Sequence, residues 1–196
     1  GNINLKPEEA IAYESGIKFN SNTVNAHIAV FRRDANNLID WVKHPDSAKW
    51  ESRNLTNIIT NGFEFSAKIN LESLINQGLI FKNINLSYSF LDLEKNSENF
   101  ISYYALDYLK HKFTANLEHR IYKRLKADWA MCYQERMGTY TDIATNKETA
   151  YPKFVTIDAR VTYQGNDWSC FFEAANLFDK KYQDIGNIQM PGRWLR

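Results

Sequence analysis

The sequence has no long run of apolar residues. It nowhere contains the roughly 18 consecutive apolar side chains that a membrane-crossing helix requires, although 44% of its 196 residues are hydrophobic. A helical membrane anchor is therefore excluded. The first nine residues also lack the basic and then apolar segments of a signal peptide, so we expect the true start of an exported protein to lie upstream.

Cysteine is scarce, and neither positive nor negative charge is in large excess. Cys132 and Cys170 are too few for a disulfide framework, lack metal-ligand spacing, and have opposite parity, so no disulfide is expected. The net charge of +1 gives no indication of a nucleic-acid partner. Catalytic motifs are absent from the sequence, so an enzyme is not expected. No metal site is expected from the scattered histidines, which are His27, His44, His111 and His119.

The sequence does contain a repeated alternation of apolar and polar residues. In residues 63–71, for example, Phe63, Phe65 and Ala67 alternate with Glu64 and Ser66. Such alternation predicts a β-strand with one apolar face. Eight segments have this pattern, and 193–196 would begin a ninth strand; the eight are 10–19, 24–31, 63–71, 84–90, 113–121, 125–136, 155–163 and 168–176.

Alternation also suits a soluble sandwich, but the connections favour a transmembrane antiparallel barrel. Short turns at 20–23, 122–124 and 164–167 alternate with long loops at 34–61, 92–111, 137–153 and 176–192. Alternating short turns and long loops are typical of outer-membrane barrels. Several strands also reach the roughly 9 to 11 residues that a tilted strand needs to cross a bilayer.

Aromatic residues make up 14% of the chain and lie near the strand ends on the apolar face. Two such rings are typical of a lipid interface. The short-turn ring would contain Phe19, Tyr163 and Trp168, and the long-loop ring Tyr88, Phe90, Phe113 and Tyr133. The opposite face carries charges of both signs, which suit a water-filled or plugged lumen; they include Glu64, Lys68, Glu118, Arg120, Asp128, Asp158 and Arg160.

Four stretches resemble the TonB-dependent receptors of the Gram-negative outer membrane. They are "GNINLKPEEAIAYESG", "FRRDANNLIDW", "NGFEFSAKINL", and "NLFDKKY" followed by "PGRWLR". The resemblance implies an all-β, 22-stranded barrel closed around an N-terminal plug. Residues 1–196 would be one partial domain, the C-terminal portion of the barrel, comprising strands fourteen to twenty-one and an incomplete twenty-second strand. The implied partners are the remaining strands and plug, the TonB complex and the lipid bilayer, and a surface lipoprotein lid is a further candidate.

The resemblance implies active import of a scarce nutrient, with no cofactor of the protein's own. The compact loops are most similar to the cobalamin receptor type, with iron-siderophore or haem receptors as the alternative. A passive porin-like barrel and a secreted all-β binding protein remain further alternatives. Exposed loop aromatics can stack on a flat ligand and arginine can pair with an anion, or these residues can simply pack the loops; the candidates are Trp41, Trp50, Tyr103, Tyr104, Arg136 and Tyr140.

Overall fold

A computed structural model describes residues 2–44, 46–74, 80–96, 101–102 and 108–196. The described residues form strands and one short helix. No helix in this part of the chain is long and apolar enough to cross a membrane. The elements are β1 (Glu9–Asn20), β2 (Val24–Lys43), β3 (Glu51–Asn70), α1 (Leu71–Leu74), β4 (Phe81–Asn96), β5 (Ile101–Ser102), β6 (Leu109–Tyr122), β7 (Leu125–Arg136), β8 (Thr139–Asp142), β9 (Lys147–Ala150), β10 (Phe154–Gln164), β11 (Ser169–Ala175) and β12 (Trp194–Leu195).

Nine strands form one antiparallel wall in the order β1-β2-β3-β4-β6-β7-β10-β11-β12. Each wall strand pairs with the next along the chain, so the wall is an up-and-down meander. Its first eight strands correspond to the eight alternating segments, and β12 is the expected ninth. The sequence prediction of the wall is therefore confirmed.

The register joins the apolar residues of neighbouring strands into a continuous belt. Residues paired across antiparallel strands point to the same face, and Ala67 of β3 pairs with Leu86 of β4, which pairs with Ala115 of β6. The row continues to Met131 of β7 and Ile157 of β10. This row and the row on each side of it contain no charged side chain, whereas farther toward the long loops the same face carries Arg32 opposite Tyr13.

No second layer of protein covers the belt side chains in the described part of the chain. Ile17 is 74% exposed and Phe172 is 56% exposed, although both are large and apolar. A soluble sandwich would cover this face with another sheet. An apolar strip of this extent on every wall strand therefore fits contact with lipid.

Aromatic residues lie at both edges of the belt, and at the long-loop edge two tyrosine hydroxyl groups contact polar partners. At the long-loop edge, the Tyr88 hydroxyl lies 2.8 Å from Nδ1 of His111, and the Tyr133 hydroxyl donates to Glu135 Oε2 at 2.5 Å. Phe113 pairs with Tyr88 and Tyr133, while Phe90 pairs with His111. At the short-turn edge are Phe19 at the end of β1 and the Tyr163 and Trp168 rings, whose centroids are 5.4 Å apart. Their contact with lipid headgroups stays a prediction.

The prediction that residues 34–61 form a long loop was wrong. β2 continues to Lys43 and β3 begins at Glu51, so only residues 44–50 connect them. The β2–β3 pairing is interrupted at Asn37, whose backbone is in the left-handed region with φ of 56°. Pairing resumes between Leu38 and Leu55. Buried Val42 and Ile58, packed by Leu38 and Leu93, stabilise this extension of the hairpin beyond the belt.

Two further connections also contain regular structure. The predicted loop 137–153 includes the small hairpin β8–β9, and residues 71–74 form α1 at the short-turn end. The ammonium group of Lys82 lies 2.5 Å from Glu72 Oε1, and Arg120 lies 3.8 Å away. The hydrogen bond from Lys82 is the largest cause that lowers the pKa of the Glu72 carboxyl group.

Neighbouring positions on β4 provide a test of the two faces. We expect Leu86→Lys in the intact protein to lower the free energy of unfolding from lipid vesicles by about 2–4 kcal/mol, since a cation at the bilayer midplane is costly. Ser87→Lys is the matched control, because Ser87 lies on the opposite face of the same strand. Urea titration of the vesicle-inserted protein gives the free energy of unfolding of both variants. Equal destabilisation by the two substitutions would contradict this assignment of faces.

Candidate functional site

The extended hairpin places Trp41 and Trp50 beyond the belt at the long-loop end. Trp41 lies on β2 opposite Ser52 and is 50% exposed, while Trp50 immediately precedes β3. The Lys43 ammonium group lies 5.6 Å from the centre of the Trp50 ring. The hairpin therefore brings both predicted tryptophans to one projection, where the flat face of an exposed ring can stack on a ligand.

The segment before β1 is hydrogen-bonded to one side of this hairpin. The Asn54 side chain accepts a hydrogen bond from the Lys6 N–H at 2.8 Å and donates to the Lys6 carbonyl at 2.9 Å. Nearby, the N–H of Ile39 donates to Glu8 Oε1 at 2.7 Å. These bonds use polar groups of both β2 and β3. The hairpin that carries the two tryptophans is therefore held by the segment before β1.

Loop 137–153 and the last loop, 176–193, are docked on each other. The side chain of Asn187 accepts from the Ile143 N–H at 2.9 Å and donates to the Thr141 carbonyl at 2.8 Å. Gly186 allows this approach, because a Cβ there would lie only 2.5 Å from Cβ of Tyr140. Within the β8–β9 turn, the Asp142 carboxylate accepts from the Thr145 N–H and hydroxyl, and the first of these bonds is the main cause of its lowered pKa.

Arg136 and Tyr140 belong to a cluster between these two loops. Arg136 donates to Asp184 Oδ1 at 3.1 Å, and its guanidinium carbon lies 5.8 Å from the centre of the Tyr151 ring. The Tyr140 and Tyr151 ring centroids are 5.1 Å apart. Both predicted residues therefore contribute to loop packing, whatever else they bind.

The last loop also contributes residues that the sequence prediction omitted. Tyr182 packs on Phe154 with ring centroids 4.4 Å apart, and burial is the first cause that raises the pKa of its hydroxyl. Asp184 engages Arg136. No local pattern identifies these partners, since they lie about 30 to 50 residues apart in the chain and meet only when the loops dock.

Asn176 organises the start of the last loop. It is buried and left-handed, with φ of 47°, and its N–H donates to Asp158 Oδ1 at 2.7 Å. Its side chain donates to the Lys180 carbonyl and accepts from the Lys180 N–H, each at 2.9 Å. The "NLFDK" stretch is thus a structural turn held to the inner face of β10.

The inner face of the wall carries paired charges on β6 to β12. Lys126 lies 3.6 Å from Glu118, and Arg160 lies 3.8 Å from Glu173. Arg196 also binds Glu173, at 3.0 Å. On β1 to β3 the inward residues include Lys18, His27 and Lys68. The inner face is therefore polar along its whole width, as the sequence predicted.

The six candidate ligand residues lie at different parts of the long-loop end. Trp41 and Trp50 share the β2–β3 hairpin, and Arg136 and Tyr140 share the loop cluster on the other side of β4 and β6. Tyr103 and Tyr104 lie outside the described residues. Ligand contact by all six stays a prediction.

Comparison with known proteins gives a family match and several similar structures. Residues 1–177 match the family model described as "TonB dependent receptor-like, beta-barrel". The chain is 26% identical, over 194 residues, to the vitamin B12 transporter BtuB of Vibrio vulnificus (strain YJ016), covering 93% of this chain and 27% of that protein.

Among solved structures, the ferric citrate transporter FecA in its unliganded form has a TM-score of 0.72 and 20% identity, covering 96% of this chain and 30% of that one. The siderophore receptor PirA from Acinetobacter baumannii has a TM-score of 0.67 and 19% identity, covering 98% and 31% respectively. At these identities the structural likeness establishes the fold alone. The chain spans less than a third of the length of each of these relatives.

The docking of the two loops depends on one amide side chain. We expect Asn187→Ala to release the β8–β9 hairpin, since two hydrogen bonds to backbone groups are lost at about 0.5–1.5 kcal/mol each. Amide hydrogen exchange should then accelerate at Ile143. Gln189→Ala is the control, because Gln189 bonds only within its own loop. Unchanged exchange at Ile143 would contradict the docking role.

The Asp142 turn should open in acid. Its lowered pKa means that the folded carboxylate adds stability at neutral pH, which is lost as pH falls below the ordinary aspartate value of about 3.9. The protection factor of the Thr145 amide, measured from pH 7 to pH 2, should fall in acid. Asp142→Asn should lose this pH dependence; its persistence in that variant would contradict the assignment.

Proposed function

The chain belongs to the TonB-dependent receptor beta-barrel family, and we propose that it forms part of the wall of an outer-membrane importer of cobalamin. The family is one of receptors and transporters, and its location in the Gram-negative outer membrane is that of this chain. The observation that carries the proposal is the uncharged outward belt opposite a charged inner face. Such a wall separates lipid from an aqueous or filled lumen.

The proposal includes further strands beyond both edges of this wall. β1 and β12 are its outermost strands, and unpaired N–H and C=O groups in hydrocarbon cost several kcal/mol each. We place residues 1–196 as the C-terminal portion of the barrel, strands fourteen to twenty-one and the start of the twenty-second. The remaining strands and an N-terminal plug would complete the receptor, and the TonB complex would energise it.

Two observations support cobalamin as the substrate. One curated relative, which matches over 93% of this chain, is a vitamin B12 transporter. In addition, Arg136 is already engaged by Asp184 at 3.1 Å, which neutralises a charge that an anionic iron chelate would use. A large, flat and nearly neutral ligand would instead stack on exposed aromatic rings such as that of Trp41. An iron-siderophore or haem complex is the alternative substrate, and a surface lipoprotein lid would be an additional partner.

Uptake by cells carrying the intact receptor tests this function. We expect saturable accumulation of radiolabelled cyanocobalamin that stops when TonB is deleted or the proton gradient is collapsed. Uptake that rises linearly with concentration and ignores both treatments would instead indicate a passive channel. If the receptor imports a ferric siderophore or haem in an energy-dependent way and does not bind cyanocobalamin, the proposed substrate is wrong but the proposed active transport stands.

The two hairpin tryptophans provide a test of the site. We expect Trp41→Ala and Trp50→Ala each to weaken cyanocobalamin binding about two- to twelve-fold, since an aromatic stacking contact contributes about 0.5–1.5 kcal/mol. Trp168→Ala is the control, because Trp168 lies at the opposite end of the wall next to Tyr163. Equilibrium binding to the detergent-solubilised receptor gives the dissociation constants. Unchanged affinity in both hairpin variants would remove these residues from the site.

A further inference from the structure

The short turn between β6 and β7 carries two cations that have no carboxylate partner. Tyr122 ends β6, Lys123 and Arg124 form the turn, and Leu125 begins β7. Both cations are exposed. Neither forms an ion pair with any residue that the structure describes, and Asp167 in the neighbouring turn pairs with neither of them. The two positive charges are therefore available to an anion outside this part of the chain.

The other two cations of the same hairpin do have counter-charges. Arg120 of β6 pairs with Lys126 of β7 across the strands, and both belong to the inner face. The Arg120 guanidinium lies 3.8 Å from Glu72, and the Lys126 ammonium lies 3.6 Å from Glu118. The lack of a carboxylate partner is therefore a feature of the turn and is not shared by the rest of the hairpin.

Lys123 lies toward the outer side of the wall. Tyr122 pairs with Leu125, and Leu125 pairs with Tyr163 of β10, so these three residues form the last outward row at the short-turn end. Tyr122 is 64% exposed. The Lys123 ammonium group lies 5.1 Å from the centre of the Tyr122 ring, which attracts a cation to its face. This contact holds the ammonium group next to the apolar belt and away from the lumen.

The depth of the turn matches the lipid headgroup layer. A strand rises about 3.3 Å per residue, so Lys123 and Arg124 lie within about 3–7 Å of the last outward row. The aromatic edge residues Tyr163 and Trp168 are in the adjoining hairpin, and the N–H of Gln164 donates to the Arg124 carbonyl at 2.9 Å. Short turns of outer-membrane barrels face the periplasm. The two cations therefore lie at the level of the headgroups of the periplasmic leaflet.

We propose that Lys123 and Arg124, with Tyr122 beside them, bind the phosphate of an anionic phospholipid in the periplasmic leaflet. The inference depends on the outer-membrane location of the family and not on the transported substrate. Ammonium and guanidinium groups both donate charge-assisted hydrogen bonds to phosphate. An uncharged glycerol headgroup leaves the negative charge of that phosphate uncompensated. A choline headgroup adds a cation of its own, which the two unpaired cations repel.

Photolabelling of the intact receptor in phosphatidylcholine nanodiscs tests this site. The probe is a minor fraction of phosphatidylglycerol with a diazirine near the glycerol end of one acyl chain, and phosphatidylcholine with the same diazirine is the reference. Mass spectrometry should find Leu125 and Tyr163, beside the turn, labelled several-fold more by the phosphatidylglycerol probe than by the reference. Equal labelling of these residues by both probes would overturn the inference.

Two double substitutions in the same hairpin separate the site from the overall charge. Lys123→Asn with Arg124→Ser removes both turn cations, and asparagine suits the left-handed backbone at Lys123, where φ is 36°. Labelling against the mole fraction of probe gives the apparent affinity. At low salt we expect this affinity to fall about thirty-fold, which corresponds to about 1 kcal/mol for each cation. Arg120→Ser with Lys126→Ser removes the same charge from the inner face and should leave the affinity unchanged.

The outcomes of this comparison decide the inference. An unchanged affinity in the turn variant would overturn it, and so would an equal loss in both double variants, which would indicate a general effect of charge. Arg124→Lys keeps the charge and should retain most of the affinity, and circular dichroism checks that every variant is folded. Unlabelled phosphatidylglycerol should displace the probe. Equal displacement by inorganic phosphate in solution would indicate a simple anion site and contradict the assignment to a lipid.

Discussion

The structure depends on one requirement of hydrocarbon: every backbone polar group must pair with another strand, and the side chains facing outward must carry no charge. Antiparallel register meets both conditions together. When Ala67, Leu86 and Ala115 pair in one row, their backbone groups are satisfied and their apolar side chains share a face. A slip of one residue would turn Lys68 toward lipid, so the register and the sequence pattern enforce each other.

This requirement leaves the inner face and the loops for function. Charges excluded from the belt collect on the inner face, where Lys18 and Lys68 on one side differ in sign from Asp128 and Asp158 on the other. At the long-loop end, hydrogen bonds hold the segments that carry the candidate ligand residues. Asn54 braces the hairpin bearing Trp41 and Trp50, and Asn187 joins the two loops around Arg136. The candidate ligand residues therefore lie on segments that are hydrogen-bonded to neighbouring parts of the chain.

The wall was predictable from sequence because a period of two is local and recurs in every spanning segment. β7 has the predicted bounds of 125–136, and the edge aromatics fall where alternation placed them. Prediction failed above the belt, where both faces meet water or protein and alternation is no longer required. "DANNLIDWVK" has no clean period, yet it continues β2 through the left-handed Asn37. The Arg136–Asp184 pair was likewise missed, since contact between two loops leaves no local signal.

The most direct test of the account is a cysteine scan along residues 84 to 90 of β4, in the intact receptor with Cys132 and Cys170 replaced by serine. Ile84, Leu86, Tyr88 and Phe90 belong to the belt, whereas Asn85, Ser87 and Ser89 belong to the inner face. Nitroxide labels at the four even positions should relax with oxygen dissolved in the bilayer, and labels at the three odd positions should not. Accessibility without a period of two, or with the two sets reversed, would contradict the belt and with it the membrane-spanning wall.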